Sequence, residues 1–442
     1  MVTGMAGLRA RLRGVVSALR QPAPESTDDG PTGSVPDLLG DLGATLLAAS
    51  QATSDVQRTL ERIAAAYGRT DIRIFVLPTL VLVEDLSTTP TQTSIFPAPS
   101  AALRLDQAGA VDHTVRRALA ERPDPASVAA EVEAARTSPS RFGAALGIFG
   151  YTLLTVGFGL VLNPTASALP VYVILGVVVG TIVRFGSRFP TLSLILPVAT
   201  AFAVTLMVAV LARPIVHDDV LRLVAPSLLS FLPGLTLTIA AVELTAGQVI
   251  AGASRMVYGI ARLGLLAFGV YAGLLVAGEP PSPSSNADPL GVWAPWVGIA
   301  LVSLGYYLYS TAPKHSLVWI LYALVVAYSA QLLGHLLVGA ELSGLIGALI
   351  VVPAVRLVAL LRIAPPPAVM LTCAYWLLVP GAMGFIGISE AASGTAGASS
   401  TILSTFGSLL AIAIGMMLGA GLSRDAVAMA RGWRGETPTR GT

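Results

Sequence analysis

The sequence predicts an all-α polytopic membrane protein with ten transmembrane helices in a 5+5 inverted repeat, preceded by a small N-terminal α+β cytoplasmic domain. Three observations predict it. Of the 442 residues, 54% are hydrophobic and only 12% charged, and the mean hydropathy is +0.75. Soluble domains carry about twice that charge fraction. From Phe142 onward the chain falls into ten apolar runs, at 142–162, 166–183, 190–212, 223–242, 256–278, 290–312, 316–338, 342–361, 366–389 and 401–422. Each is near the roughly 20 residues that cross a hydrocarbon core. Finally, a short motif occurs twice. Leu232-Pro233-Gly234 leads to Glu243 and Gly247, and Val379-Pro380-Gly381 leads to Glu390 and Gly394, with an offset of 147 residues. Shifting the first five runs by that offset lands them on the last five, so the repeat covers the whole layout.

The chain divides accordingly. Residues 1–34 are a tail and linker. Leu8, Leu12, Val15, Val16 and Leu19 fall on one face at helical spacing, opposite a basic face. A disordered tail and a helix lying on an anionic leaflet both fit. Residues 35–140 form the α+β domain. Asp37 to Ala49 is a short amphipathic helix. Thr53 to Tyr67 is a second, with Val56, Leu60, Ile63 and Ala64 on one face and Gly68 as its stop. Asp71–Leu77 and Thr79–Val83 read as strands separated by Pro78, and Ala101–Leu105 as a possible third. Helices follow at Ala110–Glu121 and Ala126–Arg136, the latter opened by Asp124 and Pro125. Residues 141–278 form the first repeat, 279–423 the second, and 424–442 a cytoplasmic tail.

Arg and Lys set the orientation. One side carries Arg136, Arg141, Arg184, Arg188, Arg255, Lys314, Arg362, Arg424, Arg431 and Arg434, and the other only Arg213 and Arg222. Both termini are therefore expected in the cytoplasm, with the 35–140 domain. Five spans per repeat make the two Pro-Gly helices antiparallel, which is the inverted topology of many secondary transporters.

A Pro-Gly pair inside a membrane helix removes a backbone hydrogen bond. Such breaks are tolerated where they face protein or a water-filled cavity, and a matched pair of them points to a transport site. Pro233, Gly234, Pro380 and Gly381 are thus candidate substrate-binding positions, because half-helix ends offer N–H groups to a carboxylate and carbonyls to an ammonium. Thr236 and Thr238 follow the first break and are candidates for a polar ligand. Against this stands a simple packing kink. Glu243 and Glu390 are candidates for proton coupling or gating, since acids inside membranes are functional by default. A carboxylate that merely ends a helix is the plain alternative. Arg255 and Arg262 lie seven apart and share a face. Arg262 has room to pair with Glu243, bind an anion or snorkel to the interface.

Other classes find little support. A net charge of +2 argues for no nucleic-acid partner. The single cysteine, Cys373, excludes an intrachain disulfide and a thiolate metal site. Four scattered histidines have no ligand spacing, no cofactor is implied, and no signal peptide precedes Phe142. No phosphate-binding loop is present to use ATP. Ser50, Ser54, Asp55 and His113 lack the spacing of a hydrolytic set, so no catalytic residue is assigned.

The soluble stretch from Leu46-Leu47 through Ser54-Asp55 to Ala66-Tyr67-Gly68, the run Phe231-Leu232-Pro233-Gly234-Leu235 with Gly247, and Leu378-Val379-Pro380-Gly381 together resemble the threonine/serine exporter family. The order of a soluble domain and five plus five spans matches as well. One departure is Ser50, where the family usually has a glycine. The resemblance implies export of small hydroxylated amino acids across a bacterial plasma membrane, driven by the proton gradient or membrane potential, with the proton as coupling ion. It leaves open a dicarboxylate such as succinate as substrate, and a homo-oligomer. A membrane-anchored scaffold is the alternative from another class.

Overall fold

The computed structural model describes residues 33–99, 101–186, 190–212, 216, 219–278, 290–339, 342–359, 361, 364–378, 407–408 and 410–423. The tail calls at 1–32, the second motif at Pro380, Gly381, Glu390 and Gly394, and the tail 424–442 lie outside them.

The N-terminal unit folds around its first helix, α1 (Val35–Ala48). The Ser34 side chain caps it by accepting from the Asp37 N–H at 3.3 Å. Leu38, Leu39, Leu42, Leu46 and Leu47 are all buried, because α1 is covered by the sheet and by helices on several sides. Helix α2 (Thr53–Ala66) buries Val56, Leu60, Ile63 and Ala64, the face its periodicity predicts. It ends at Gly68, whose φ of +73° suits a residue without Cβ. Strands β1 (Ile72–Leu77), β2 (Leu80–Asp85) and β3 (Gln92–Pro97) form an antiparallel meander, with Ile74 opposite Val83 and Leu82 opposite Ile95.

Two expectations are corrected here. The third strand is Gln92–Pro97, not Ala101–Leu105. Its first three residues are polar and its last three apolar, so no period-2 alternation shows in the sequence. Residues 101–104 instead lead into α3 (Leu105–Glu121), which begins five residues earlier than expected. That early start is fixed by Gln107, whose Oε1 accepts from the Arg104 N–H at 3.0 Å. Helix α4 (Pro125–Thr137) opens as predicted, with Asp124 accepting from the Ala126 N–H at 3.2 Å.

Beyond residue 142 the described chain is helical. Five helices are long and apolar enough to cross a membrane: α5 (Ala144–Leu162), α6 (Leu169–Gly186), α7 (Pro190–Met207, prolonged by a π-helical turn at Val208–Ala212), α10 (Val249–Ala277) and α12 (Leu317–Val338). A sixth arises if the bent pair between α7 and α10 counts as one span. That pair joins α8 (Val220–Val224) and its 3-10 extension to Phe231 with α9 (Gly234–Thr245). The helices α11 (Ala294–Tyr309), α13 (Ser343–Val358), α14 (Pro367–Leu378) and α15 (Leu410–Ser423) are apolar but shorter. The protein is thus a mostly helical membrane protein with a small three-stranded sheet.

Glycines let the helix backbones touch. On α5 and α11 the contacts are reciprocal. A Cβ on Gly157 would lie 2.7 Å from the Gly298 oxygen, and one on Gly298 would lie 2.6 Å from the Gly157 oxygen. Gly150 and Gly305 meet in the same way, at 3.0 and 2.7 Å. The two helices therefore cross antiparallel. A second pattern joins α10 to α7. A Cβ on Gly269 would meet the Val198 oxygen and the Ala201 Cβ, and one on Gly273 would meet the Phe202 oxygen and the Thr205 Cβ. Where α15 meets α13, Gly415 stands against the Leu345 oxygen and Ala348 Cβ, and Gly419 against the Leu349 oxygen and Val352 Cβ. Each of these four partner residues on α13 follows its counterpart on α7 by 147 positions.

Candidate functional site

The first Pro-Gly motif breaks its helix as expected. The segments Val220–Phe231 and Gly234–Thr245 meet at 66°. Leu232 is extended (φ −66°, ψ 126°), and Pro233 caps α9. The first α9 acceptor is the Pro233 carbonyl, which takes the Leu237 N–H at 2.9 Å. Upstream of it, the N–H groups of Gly234, Leu235 and Thr236 find no acceptor among the described residues. Three donors at the positive end of a helix can bind an anion or a carbonyl oxygen.

Side chains around the break are more polar than the motif suggests. The Tyr151 hydroxyl donates to the Ser227 carbonyl at 2.7 Å and lies 2.9 Å from Ser230 Oγ. Its ring packs edge-on against Tyr309, with centroids 5.1 Å apart. Tyr151 is buried, whereas Ser230 and Tyr309 keep partial access. Sequence reasoning missed this trio, because α5 and α11 bring in residues far from the motif. Thr238, by contrast, is fully buried and its hydroxyl donates back to the Gly234 carbonyl at 3.0 Å. That is a helix-internal bond and leaves the hydroxyl little to offer a ligand. Thr236 is half-buried.

Helix α9 ends in a Schellman turn. Gln248 N–H reaches the Glu243 carbonyl at 2.8 Å, Gly247 N–H reaches Leu244 at 3.1 Å, and Gly247 has φ +81°. This geometry accounts for the four-residue spacing of Glu243 and Gly247. It also puts a carboxylate on the last turn, at the negative pole of the helix, where it is disfavoured by about 0.3–1 kcal/mol.

What compensates it comes from elsewhere in the chain. Glu243 is fully buried. Its Oε1 accepts from both the Thr53 backbone N–H and the Thr53 hydroxyl, each at 2.9 Å. Thr53 is the first residue of α2, and Ala52 before it supplies no side-chain cap. Glu243 therefore caps α2 from a distance of 190 residues in sequence. On the other oxygen, Arg255 Nε lies 3.1 Å from Oε2, with 14% of its side chain exposed. Its N–H is not aimed at that oxygen, so the contact is coulombic and Oε2 has no hydrogen-bond donor among the described residues. Arg255 Nη2 also reaches the Gln51 carbonyl at 3.5 Å.

Arg255 reaches this position because α10 starts at Val249, seven residues before the expected span, and runs for 29 residues. At 1.5 Å per residue that is about 43 Å, longer than a bilayer core. The basic partner of Glu243 is thus Arg255. Arg262, also offered as a partner, is half-buried and has no ion pair among the described residues. The signal that foretells Thr53 is faint but present in the sequence: a helix start with alanine at the cap position needs an outside acceptor.

A second attachment joins the N-terminal unit to the C-terminal end of α11. The N–H groups of Leu105 and Asp106, first in α3, donate to the carbonyls of Ser310 and Thr311 at 3.2 and 3.1 Å. Those carbonyls end α11, so the orphan donors of one helix meet the orphan acceptors of another. Gly109 lies against Pro313, and Ser140 Oγ lies 3.3 Å from Thr311 Oγ1. Arg141 Nη2 donates to the Tyr307 hydroxyl at 2.6 Å. Among the described residues, no three His, Cys, Asp or Glu side chains gather as metal ligands.

Residues 37–277 match the family model described as "Putative threonine/serine exporter". The matched stretch runs from α1 through the Glu243 site to the end of α10. No curated protein and no solved structure matches the chain.

Proposed function

The chain belongs to the threonine/serine exporter family, and from that premise we propose that it is a secondary exporter of threonine and serine across a bacterial plasma membrane, coupled to the proton gradient. The observation that carries this reading is Glu243. A fully buried carboxylate in the last turn of a broken membrane helix has one oxygen, Oε2, that meets no hydrogen-bond donor among the described residues. That oxygen is where a proton would add. Protonation would weaken both the attraction to Arg255 and the cap on α2, so proton uptake would be felt by the helix that carries the break.

The substrate would lie at the break. An amino acid carries a carboxylate, which suits the unpaired N–H groups at Gly234, Leu235 and Thr236. It also carries a hydroxyl, which suits the Ser230 and Tyr151 hydroxyls. Pro380, Gly381 and Glu390 would supply the matching elements in the second half, with Glu390 as the second coupling acid. The ten spans would form an inverted 5+5 arrangement, which the glycine contacts support, with both termini and the N-terminal unit in the cytoplasm, as the placement of Arg and Lys favours. In the α10–α7 and α15–α13 contacts the partners on α7 and α13 recur at an offset of 147 and the glycines on α10 and α15 at 146, and the α5–α11 crossing is self-complementary, as a two-fold axis would make it.

The experiment is amino-acid efflux from cells loaded with threonine- and serine-containing dipeptides, comparing empty cells, the wild type and Glu243→Gln at equal membrane levels. The wild type is expected to speed efflux and the variant to lose most of that gain. Equal efflux from variant and wild type would remove Glu243 from the mechanism. No gain in the wild type would remove threonine and serine as substrates, and dicarboxylates would be tried next.

A further inference from the structure

The N-terminal unit touches both membrane halves through helix N-termini, and the two contacts differ in kind. At Thr53 the acceptor is the side-chain carboxylate of Glu243, on a 12-residue helix set off by the 66° break. At Leu105 and Asp106 the acceptors are backbone carbonyls at the end of α11, which is locked against α5 by reciprocal glycine contacts. One attachment sits on an element with a hinge, the other on an element without one.

We propose that the N-terminal unit is a strap across the two halves, and that Thr53 positions Glu243 at the end of the strap that lets go when α9 moves. This rests on the two-half transport reading above. The structural reason is a mismatch of constraints. Any motion of α9 about Leu232 and Pro233 changes the separation between Glu243 and Thr311. The unit between them has its own buried core, in which α1, α2 and the sheet share Leu42, Leu46, Leu60 and Val81, so it does not stretch. One end must therefore release. The Glu243 end depends on two hydrogen bonds to one oxygen, a guanidinium misaligned with the other oxygen, and the 3.5 Å bond from that guanidinium to the Gln51 carbonyl. The other end holds by two backbone bonds, the Gly109–Pro313 contact, the Ser140–Thr311 contact and the Arg141–Tyr307 bond. The Glu243 end has fewer bonds to break.

The test is a pair of distances measured by electron-electron double resonance on the full chain in phosphatidylglycerol-containing nanodiscs. Nitroxides go on Glu61→Cys with Val249→Cys for the first half, or on Glu61→Cys with Lys314→Cys for the second. All three positions are exposed, while Cys373 is buried and out of reach of the label. In the wild-type background both pairs should give one distance. Thr53→Val removes a hydroxyl bond to a charged acceptor and should raise the undocked fraction of the Val249 pair about tenfold. Glu243→Gln should do the same or more, Thr53→Ser should match the wild type, and the Lys314 pair should stay fixed throughout. An unmoved Val249 pair in both Thr53→Val and Glu243→Gln overturns the proposal, as does movement of the Lys314 pair. Efflux measured on the same proteins separates the two readings. A Val249 shift without threonine or serine efflux keeps the strap and sinks the substrate, whereas efflux with unmoved distances sinks the strap alone.

Discussion

The two ends of the N-terminal unit solve one problem with different chemistry. Both present the unpaired N–H groups of a helix start to the membrane helices. The α2 end is answered by a carboxylate that is itself paired with a guanidinium, and the α3 end by neutral carbonyls. A neutral seam holds whatever the protonation state. A buried ion pair holds only while both partners keep their charge, because losing one leaves the other uncompensated. The comparison teaches that one small domain carries both a charge-dependent attachment and a neutral one.

The sharpest way to break this comparison is to remove one charge. Arg255→Met leaves Glu243 buried without its cation and is expected to cost about 3–5 kcal/mol. Ser140→Ala at the neutral end removes an exposed hydroxyl that lies 3.3 Å from Thr311 Oγ1 and donates to the Phe142 carbonyl at 3.0 Å, and should stay within about 0.5 kcal/mol. Thermal unfolding of the two variants in detergent checks the contrast, and equal losses would show that the ends are not different in kind.

A smaller effect tests the symmetry of the membrane halves. Gly269→Ala and Gly415→Ala each push a methyl against a carbonyl oxygen on the facing helix. Each should cost about 1–3 kcal/mol by overpacking, and the two losses should agree within about 0.5 kcal/mol if the contacts are equivalent. A large loss at one and none at the other would argue against a repeat in that region.

The smallest effect is of opposite sign. Ser50 is held at φ 60° in the turn that presents Gln51 and Thr53 to Arg255 and Glu243. A side chain there is strained, which explains why a glycine suits the position. Ser50→Gly should stabilise the charged end by up to about 1 kcal/mol, read as slower hydrogen exchange at the Thr53 amide. Faster exchange would show that the serine contributes more than its backbone strain removes.

Much of the outline was legible because it rests on local chemistry. Of the ten apolar runs, five become helices long and apolar enough to cross a membrane, or six with the bent pair, and the other described ones become shorter apolar helices. Pro233-Gly234 marks the break, since proline removes a donor wherever it sits in a helix. Gly68 marks a helix end through its left-handed backbone, and the buried face of α2 follows from its period. The misplaced third strand and the late start assigned to α3 show the limit. Six residues without alternation are outvoted by turn-like neighbours, and the Gln107 cap on Arg104 is a contact, not a pattern.

What only the tertiary structure decided is who meets whom. The sequence singled out Glu243 by its recurrence, yet nothing local says that its carboxylate would cap a helix 190 residues earlier. Arg255 became its partner because α10 begins well before the apolar run does. Tyr151, Ser230 and Tyr309 gather at the break because glycines let α5 and α11 approach until their backbones touch. Composition and spacing fix which elements form, through hydrogen bonds and periodicities a few residues long. Pairing of charges and hydroxyls across the fold depends on burial, which removes water as the competing partner, and burial exists only once the helices have packed.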